Sequence, residues 1–151
     1  MSDAVVRSLP LPCSAADAFA VFTARITEWW SRGYSASGEN LARAVIEPRV
    51  GGRVYEVDTH GNEFDWGTVS VWEPSHRLVI SWTLAIPNDA TTEVEARFSG
   101  EGDACTLHFE HRGWGPELAA VRSKFDHDGG WTSVLAGYVR LLSSLKPNHP
   151  Q

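Results

Sequence analysis

Gly130-Trp131-Thr132-Ser133-Val134-Leu135-Ala136-Gly137-Tyr138-Val139-Arg140-Leu141-Leu142-Ser143-Ser144-Leu145 places Trp131, Val134, Leu135, Tyr138, Leu142 and Leu145 at three- and four-residue steps. On a helix these positions form one wide apolar stripe. A stripe carrying a Trp and a Tyr is too large to remain in water. The rest of the chain reads as strands, with nothing else of comparable length to cover them. The economical arrangement is a curved antiparallel sheet wrapped around this helix, with a core or a cavity between the two.

Immediately before the stripe, Leu118, Val121, Arg122 and Phe125 suggest another helix. Six residues separate Phe125 from Trp131, a helical rotation of about 600°, which leaves the two side chains roughly 120° apart. Gly129-Gly130 sits at this mismatch and predicts a break, with the long helix starting near Gly130. His127-Asp128 reads as a solvated helix end.

From the N-terminus, Ala4 to Leu9 predicts a first strand that Pro10-Leu11-Pro12 ends, since proline cannot continue a ladder. Ser14-Ala15-Ala16-Asp17 is a helix N-cap followed by an acid at the third position. Ala15, Ala18, Phe19 and Phe22 then share one face of a helix to about Thr23, and a second short helix covers Arg25 to Trp30. Strands follow at Ala42–Glu47, Arg53–Asp58, Phe64–Trp72, Arg77–Leu84, Thr91–Ser99 and Cys105–His111. They are separated by glycine- and proline-bearing turns such as Gly51-Gly52 and Gly100-Glu101-Gly102-Asp103. In the Phe64–Trp72 strand, Trp66 and Trp72 share one face while Val69 and Val71 share the other. Both faces claim burial, and a β-bulge would reconcile them. The expected fold is α+β: six to seven strands, two short helices after the first, and a long C-terminal helix, all in one domain over residues 1–151.

A chain of 151 residues buries roughly 68–70% of its unfolded surface and needs no disulfide. Cys13 and Cys105 have no CxxC spacing and no paired His, and they read as reduced thiols of a cytoplasmic protein. The start lacks a basic segment followed by an apolar one, and no apolar run approaches membrane length, so no membrane insertion is expected. A net charge of −6 without a Lys/Arg patch argues against nucleic acid as a partner. Seven tryptophans are the unusual feature, because tryptophan both fills cores and lines pockets for flat or lipophilic ligands.

Several short pieces recur in a recognisable order: Glu28-Trp29-Trp30, Pro48-Arg49-Val50-Gly51-Gly52-Arg53, Gly67-Thr68-Val69 with Glu73-Pro74, and Arg77-Leu78 with Ser81-Trp82. His111-Arg112-Gly113-Trp114 and Gly130-Trp131 with Val134-Leu135 complete the set. In this order and spacing the chain resembles the SRPBCC (START-like) superfamily. It is most similar to the branch named for the activator of the ninety-kilodalton heat-shock protein's ATPase. The resemblance implies a helix-grip fold whose cavity, in relatives, holds lipids, hormones, polyketides or aromatic metabolites. It also implies two alternatives to simple binding: a cyclase- or dehydratase-like enzyme, and a co-chaperone-like interaction module with a chaperone as partner.

Strand alternation assigns Arg53, Tyr55, Val57, Ile80, Trp82, Phe98, Leu107, Phe109 and His111 to the inward face. Trp30 would close one end of the cavity, and Trp131, Leu135 and Tyr138 would line it from the long helix. The same residues fit a filled core. The candidate ligand-binding set is therefore Trp30, Arg53, Tyr55, Trp82, Phe98, Phe109, His111, Trp131, Leu135 and Tyr138, for a lipophilic or aromatic small molecule without a cofactor. His111 is either a satisfied core histidine or, on the enzyme reading, a general base with Tyr55 or Arg53 holding an enolate or carboxylate. Arg53 has its own bland alternative, an ion pair with Asp65 or Glu63. His108 and His111 lie on opposite faces of a strand, a spacing that does not suit a metal. No nucleophile elbow, phosphate-binding glycine loop or carboxylate pair is present. On the interaction reading the exposed anchors would be Trp114 or Trp66. A homodimer through the outer sheet or the Trp114 region is open, since nothing in the sequence specifies the oligomeric state.

Overall fold

The apolar stripe forms helix α4 (Trp131–Leu145), which buries Trp131, Val134, Leu135, Tyr138 and Leu142. Leu145, the last stripe residue, is exposed at the helix end, so the buried face stops short of it. The computed structural model describes residues 4–87, 89–126 and 130–145. Helix α3 (Ala119–Asp126) ends and α4 begins on either side of the phase mismatch read from Phe125 and Trp131. His127, Asp128 and Gly129 lie outside the described residues.

Around α4 curls one seven-stranded antiparallel sheet. Its strands are β1 (Val5–Leu11), β2 (Leu41–Ile46), β3 (Arg53–Asp58), β4 (Glu63–Glu73), β5 (Arg77–Trp82), β6 (Thr92–Ser99) and β7 (Cys105–Arg112). Their spatial order is β1-β7-β6-β5-β4-β3-β2, so β1 and β2 are the edges. Helices α1 (Ala15–Ala24) and α2 (Ile26–Trp29) bridge those two edge strands in sequence. Ser14 caps α1 as expected, its hydroxyl oxygen accepting the Asp17 amide at 3.1 Å.

Three expectations need correcting. First, β1 continues through Pro10 to Leu11, with Pro10 opposite Thr106. An edge strand needs hydrogen bonds on one side only, so the missing proline N–H is tolerated. Second, β5 ends at Trp82 rather than Leu84. The Thr83 and Leu84 amides turn back to donate to the Trp66 carbonyl, and Ala85 adopts a left-handed φ of 64°. Third, the phase of β3 is inverted. Arg53 and Tyr55 lie on the outer face, with the Arg53 guanidinium 4.1 Å from the Tyr55 ring centroid, while Val54 and Glu56 point inward. Val57, on the outer phase, is covered without joining the main core.

Two bulges resolve the competing faces of β4. Val54 pairs with Gly67 and Tyr55 with Asp65, which leaves Trp66 as an extra residue opposite β3. Val69 pairs with Ile80 and Val71 with Val79, which leaves Ser70 as an extra residue opposite β5. Each bulge shifts the alternation by one, so Trp66, Val69 and Trp72 turn inward at steps of three. Trp66 and Val69 are fully buried, and Trp72 packs edge-on against Phe19 at 5.1 Å. Gly67 is required where β4 meets β5, because a Cβ there would stand 2.0 Å from the Ser81 carbonyl oxygen. Gly137 does the same for α4 against α2: its Cβ would meet the Trp29 carbonyl oxygen at 2.6 Å.

The aromatic core has two lobes. In one, Phe19, Phe22, Trp29, Phe98 and Tyr138 interlock at ring separations of 4.9–5.9 Å. In the other, Trp30, Trp66, Trp82 and Trp131 gather with Phe109 and His111. Trp29 and Trp30, neighbours at the end of α2, join the two at 5.7 Å. No helix among the described residues is long and apolar enough to cross a membrane.

Candidate ligand-binding site

The second lobe opens on a pocket of about 630 Å³, within the range of cavities that hold drug-sized ligands. Its floor is made by Trp30, Trp82 and Trp131, with Val134 beside them. Each tryptophan sits where an element ends or begins. Trp30 is the extended residue that closes α2, Trp82 is the last residue of β5, and Trp131 is the first of α4. Their ring centroids lie 5.6–6.0 Å apart in a mutually contacting triangle, tilted by 38–81°. The rings therefore form a continuous apolar surface rather than a slot between parallel plates.

Three walls rise from this floor. One is the turn that carries Leu84, Ala85 and Pro87, held by the Thr83 and Leu84 amides on Trp66 and by the Trp82 indole N–H donating to the Leu84 carbonyl at 3.0 Å. The second is the segment Gly33-Tyr34-Ser35-Ala36. The third is the face of α3 bearing Val121, Lys124 and Phe125, at steps of three and four.

Glu56 fixes the second wall. It is fully buried, and its carboxylate accepts the Ala36 amide at 2.7 Å, the Ser37 amide at 2.9 Å, the Ser37 hydroxyl, and the Trp66 indole N–H at 2.6 Å. Burial alone would raise its pKa. The hydrogen bonds from Ser37, Ala36 and Trp66 outweigh that and hold the carboxyl below its ordinary value. The inverted phase of β3 follows from the same contacts. A carboxylate is rarely placed inward, but four donors satisfy it here.

His111 lies behind the floor and does not line the pocket. It is fully buried, and burial pushes its pKa down to about 3. The Trp131 indole N–H can only donate, so the His111 Nδ1 that it meets at 2.9 Å is the acceptor. The other ring nitrogen, Nε2, then carries the proton and donates to the Thr92 hydroxyl at 2.7 Å, and Thr92 donates onward to the Trp82 carbonyl at 3.3 Å. Both imidazole nitrogens are used in holding the floor. Tyr55 and Arg53, the expected partners of a catalytic His111, are on the far side of the sheet. Arg53 there pairs with Glu63 at 3.1 Å and Asp65 at 2.8 Å.

Of the ten residues expected at the site, the structure brings Trp30, Trp82 and Trp131 together on the pocket. Phe109, Leu135 and Tyr138 are buried and do not line the pocket, Phe109 lying behind Trp131 and the Tyr138 hydroxyl donating to the Ala18 carbonyl at 2.6 Å. Phe98 packs against Phe19 and Phe22 and touches a separate hollow near the start of α1. The question of pocket or filled core thus has a divided answer, one lobe of each. Trp66 and Trp114 are fully buried rather than exposed anchors, and Trp114 donates to the His111 carbonyl at 2.9 Å. The exposed large apolar residues among those described, Val6, Tyr34, Val50 and Leu145, come from four separate elements and loops.

Sequence reasoning missed the wall residues Tyr34, Leu84, Pro87, Val121, Lys124 and Phe125, and the anchor Glu56. The phase of Val121 and Phe125 was visible in the sequence; that α3 folds over the mouth was not. Glu56 left no signal, because an acid in an alternating strand reads as solvent-facing.

A family model described as activator of Hsp90 ATPase homolog 1-like protein matches residues 12–143. Solved structures are similar over nearly the whole chain. The self-sacrificing resistance protein CalC from Micromonospora echinospora is 25% identical with a TM-score of 0.75, covering 95% of this chain and 97% of that one. An anthrahydroquino-gamma-pyrone synthase is 28% identical with a TM-score of 0.60, covering 91% and 96%. A crystallised Mesorhizobium loti protein, 19% identical with a TM-score of 0.72 over 95% and 99%, shares the fold. No protein with a curated description matches the chain.

Proposed function

The chain belongs to the activator of Hsp90 ATPase homolog 1-like family, and from that premise we propose that it is a small-molecule-binding domain for a lipophilic, aromatic ligand, acting without turnover. The observation that carries this reading is the 630 Å³ pocket floored by three tryptophans. One neighbour above 25% identity, a synthase named for an anthrahydroquino-gamma-pyrone, supports an aromatic ligand. His111, the general base of the enzyme reading, is behind the pocket floor with both nitrogens engaged. The free thiols Cys13 and Cys105 support a cytoplasmic reading, since a reducing compartment keeps thiols unpaired.

Native mass spectrometry of freshly purified protein, compared with its denatured mass, tests the reading. The expected result is a discrete mass excess that disappears on denaturation. A protein that is clean in the native spectrum, and whose tryptophan fluorescence does not move with added polycyclic aromatics, would overturn it.

A further inference from the structure

The pocket is chemically one-sided. Of the fifteen described residues that line it, fourteen are uncharged and the other is Lys124. Lys124 is exposed at the mouth, on the same face of α3 as Val121 and next to Phe125. Its methylene stem can lie along that apolar wall while the ammonium stays at the rim. The neighbouring acid, Asp126, is already held by Arg7 at 3.1 Å and by Arg122 at 3.2 Å, and no ion pair to Lys124 exists among the described residues. In a chain of net charge −6 this is, among the described residues, a cation without an ion pair beside an apolar, low-dielectric wall, where a charge acts more strongly than on an open surface.

We propose that the ligand is an aromatic anion: a flat ring system rests on the Trp30–Trp82–Trp131 floor, and its carboxylate, or an equally acidic oxygen, pairs with Lys124 at the mouth. This rests on the small-molecule-binding reading and adds the ligand's charge and orientation to it. The tilted, contacting indoles offer a continuous apolar surface for an aromatic body, and Lys124, the charged group of the described lining, fixes which end points outward. A cationic ligand of the same shape is repelled by the same lysine.

Two probes of nearly equal shape make the test: anthraquinone-2-carboxylate and its neutral analogue 2-(hydroxymethyl)anthraquinone. Each is titrated by quenching of tryptophan fluorescence into the whole chain and into Lys124→Gln and Lys124→Arg. The expected result is tighter binding of the carboxylate by the parent protein, a loss of about fivefold in Lys124→Gln, and retention in Lys124→Arg. The neutral probe binds all three proteins alike. Raising the salt concentration weakens only the carboxylate. Equal binding of both probes to parent and variants overturns the aromatic-anion proposal and leaves the binding reading standing. A carboxylate preference that survives Lys124→Gln also overturns it, since the charge would then be read elsewhere. Binding of neither probe overturns the aromatic-anion proposal, and together with a clean native mass spectrum it overturns the binding reading as well.

Discussion

At the scale of single residues, the tryptophans and His111 show how a polar atom is accommodated in an apolar lobe. Five of the buried indoles donate within the protein: Trp29 to the Phe22 carbonyl, Trp66 to Glu56, Trp82 to the Leu84 carbonyl, Trp114 to the His111 carbonyl and Trp131 to His111. Trp30 carries the buried N–H that, among the described residues, has no partner. Trp131→Phe leaves the His111 Nδ1 without a donor and should cost about 1–3 kcal/mol more than Trp30→Phe, which removes an unsatisfied group. Urea denaturation of the two variants measures the difference. The pH dependence has a definite sign. The unfolded chain protonates His111 below its ordinary 6.5, whereas burial delays protonation of the folded chain to about 3. The unfolded state therefore binds more protons between these values, and stability present above pH 6.5 is lost as the pH falls. The lowered pKa values of Glu56 and Glu95 add to the loss only below about 4.5. The urea midpoint should thus be lower at pH 5 than at pH 7, with a limiting slope of roughly 1.4 kcal/mol per pH unit, and His111→Gln should flatten that slope. The presence of a buried His was legible in the alternation of Leu107, Phe109 and His111. Its partners, 19 and 20 residues away along the chain, were not, because nothing local fixes which side chains a sheet and a helix bring together.

At the scale of elements, the pocket is built from places where regular structure stops. Strand β5 ends in the Leu84–Pro87 turn, α2 ends at Trp30, and α3 breaks before α4. Sequence patterns locate the interiors of elements well, since periodicity is a property of many residues at once. They locate the ends poorly, and here the ends hold the site. The Gly33–Ala36 wall depends on Glu56, a residue of another element altogether. Glu56→Gln replaces one accepting oxygen with a donor facing amides and hydroxyls that already donate. The expected result is faster hydrogen exchange at the Ala36 and Ser37 amides, with exchange in β5 through β7 unchanged, read residue by residue by NMR. Unchanged protection at Ala36 and Ser37 would mean that the wall does not depend on the carboxylate. The two bulges of β4 make the same point in a strand: the conflict between Trp66, Val69 and Trp72 was readable, but which residues are extra depends on the register with β3 and with β5.

At the scale of the whole molecule, a ligand that enters the pocket and binds only the folded chain raises its stability by mass action. At a hundred times its Kd the increase is about 2.7 kcal/mol, seen as a higher melting temperature in a thermal scan. A ligand that quenches the tryptophans without raising that temperature would be bound elsewhere or bound to the unfolded chain as well. The outer face of the sheet takes no part in this. There Glu95 is almost fully buried beneath Arg77, Arg97 and Arg112, which overcome the effect of burial and hold its carboxyl at about 2. The sequence by itself determined the helix stripe, the strand count to within one, the capped first helix, the break before α4 and the family. All of these are written in spacing along the chain, and spacing survives without knowledge of contacts. Only the tertiary structure decided that β3 faces the other way, that one aromatic lobe is filled while the other opens, and that Glu56 and Lys124 belong to the open one. Those facts depend on which distant groups satisfy a carboxylate, which backbones approach closely enough to exclude a Cβ, and where element ends leave space. Such relations arise only when the chain closes on itself.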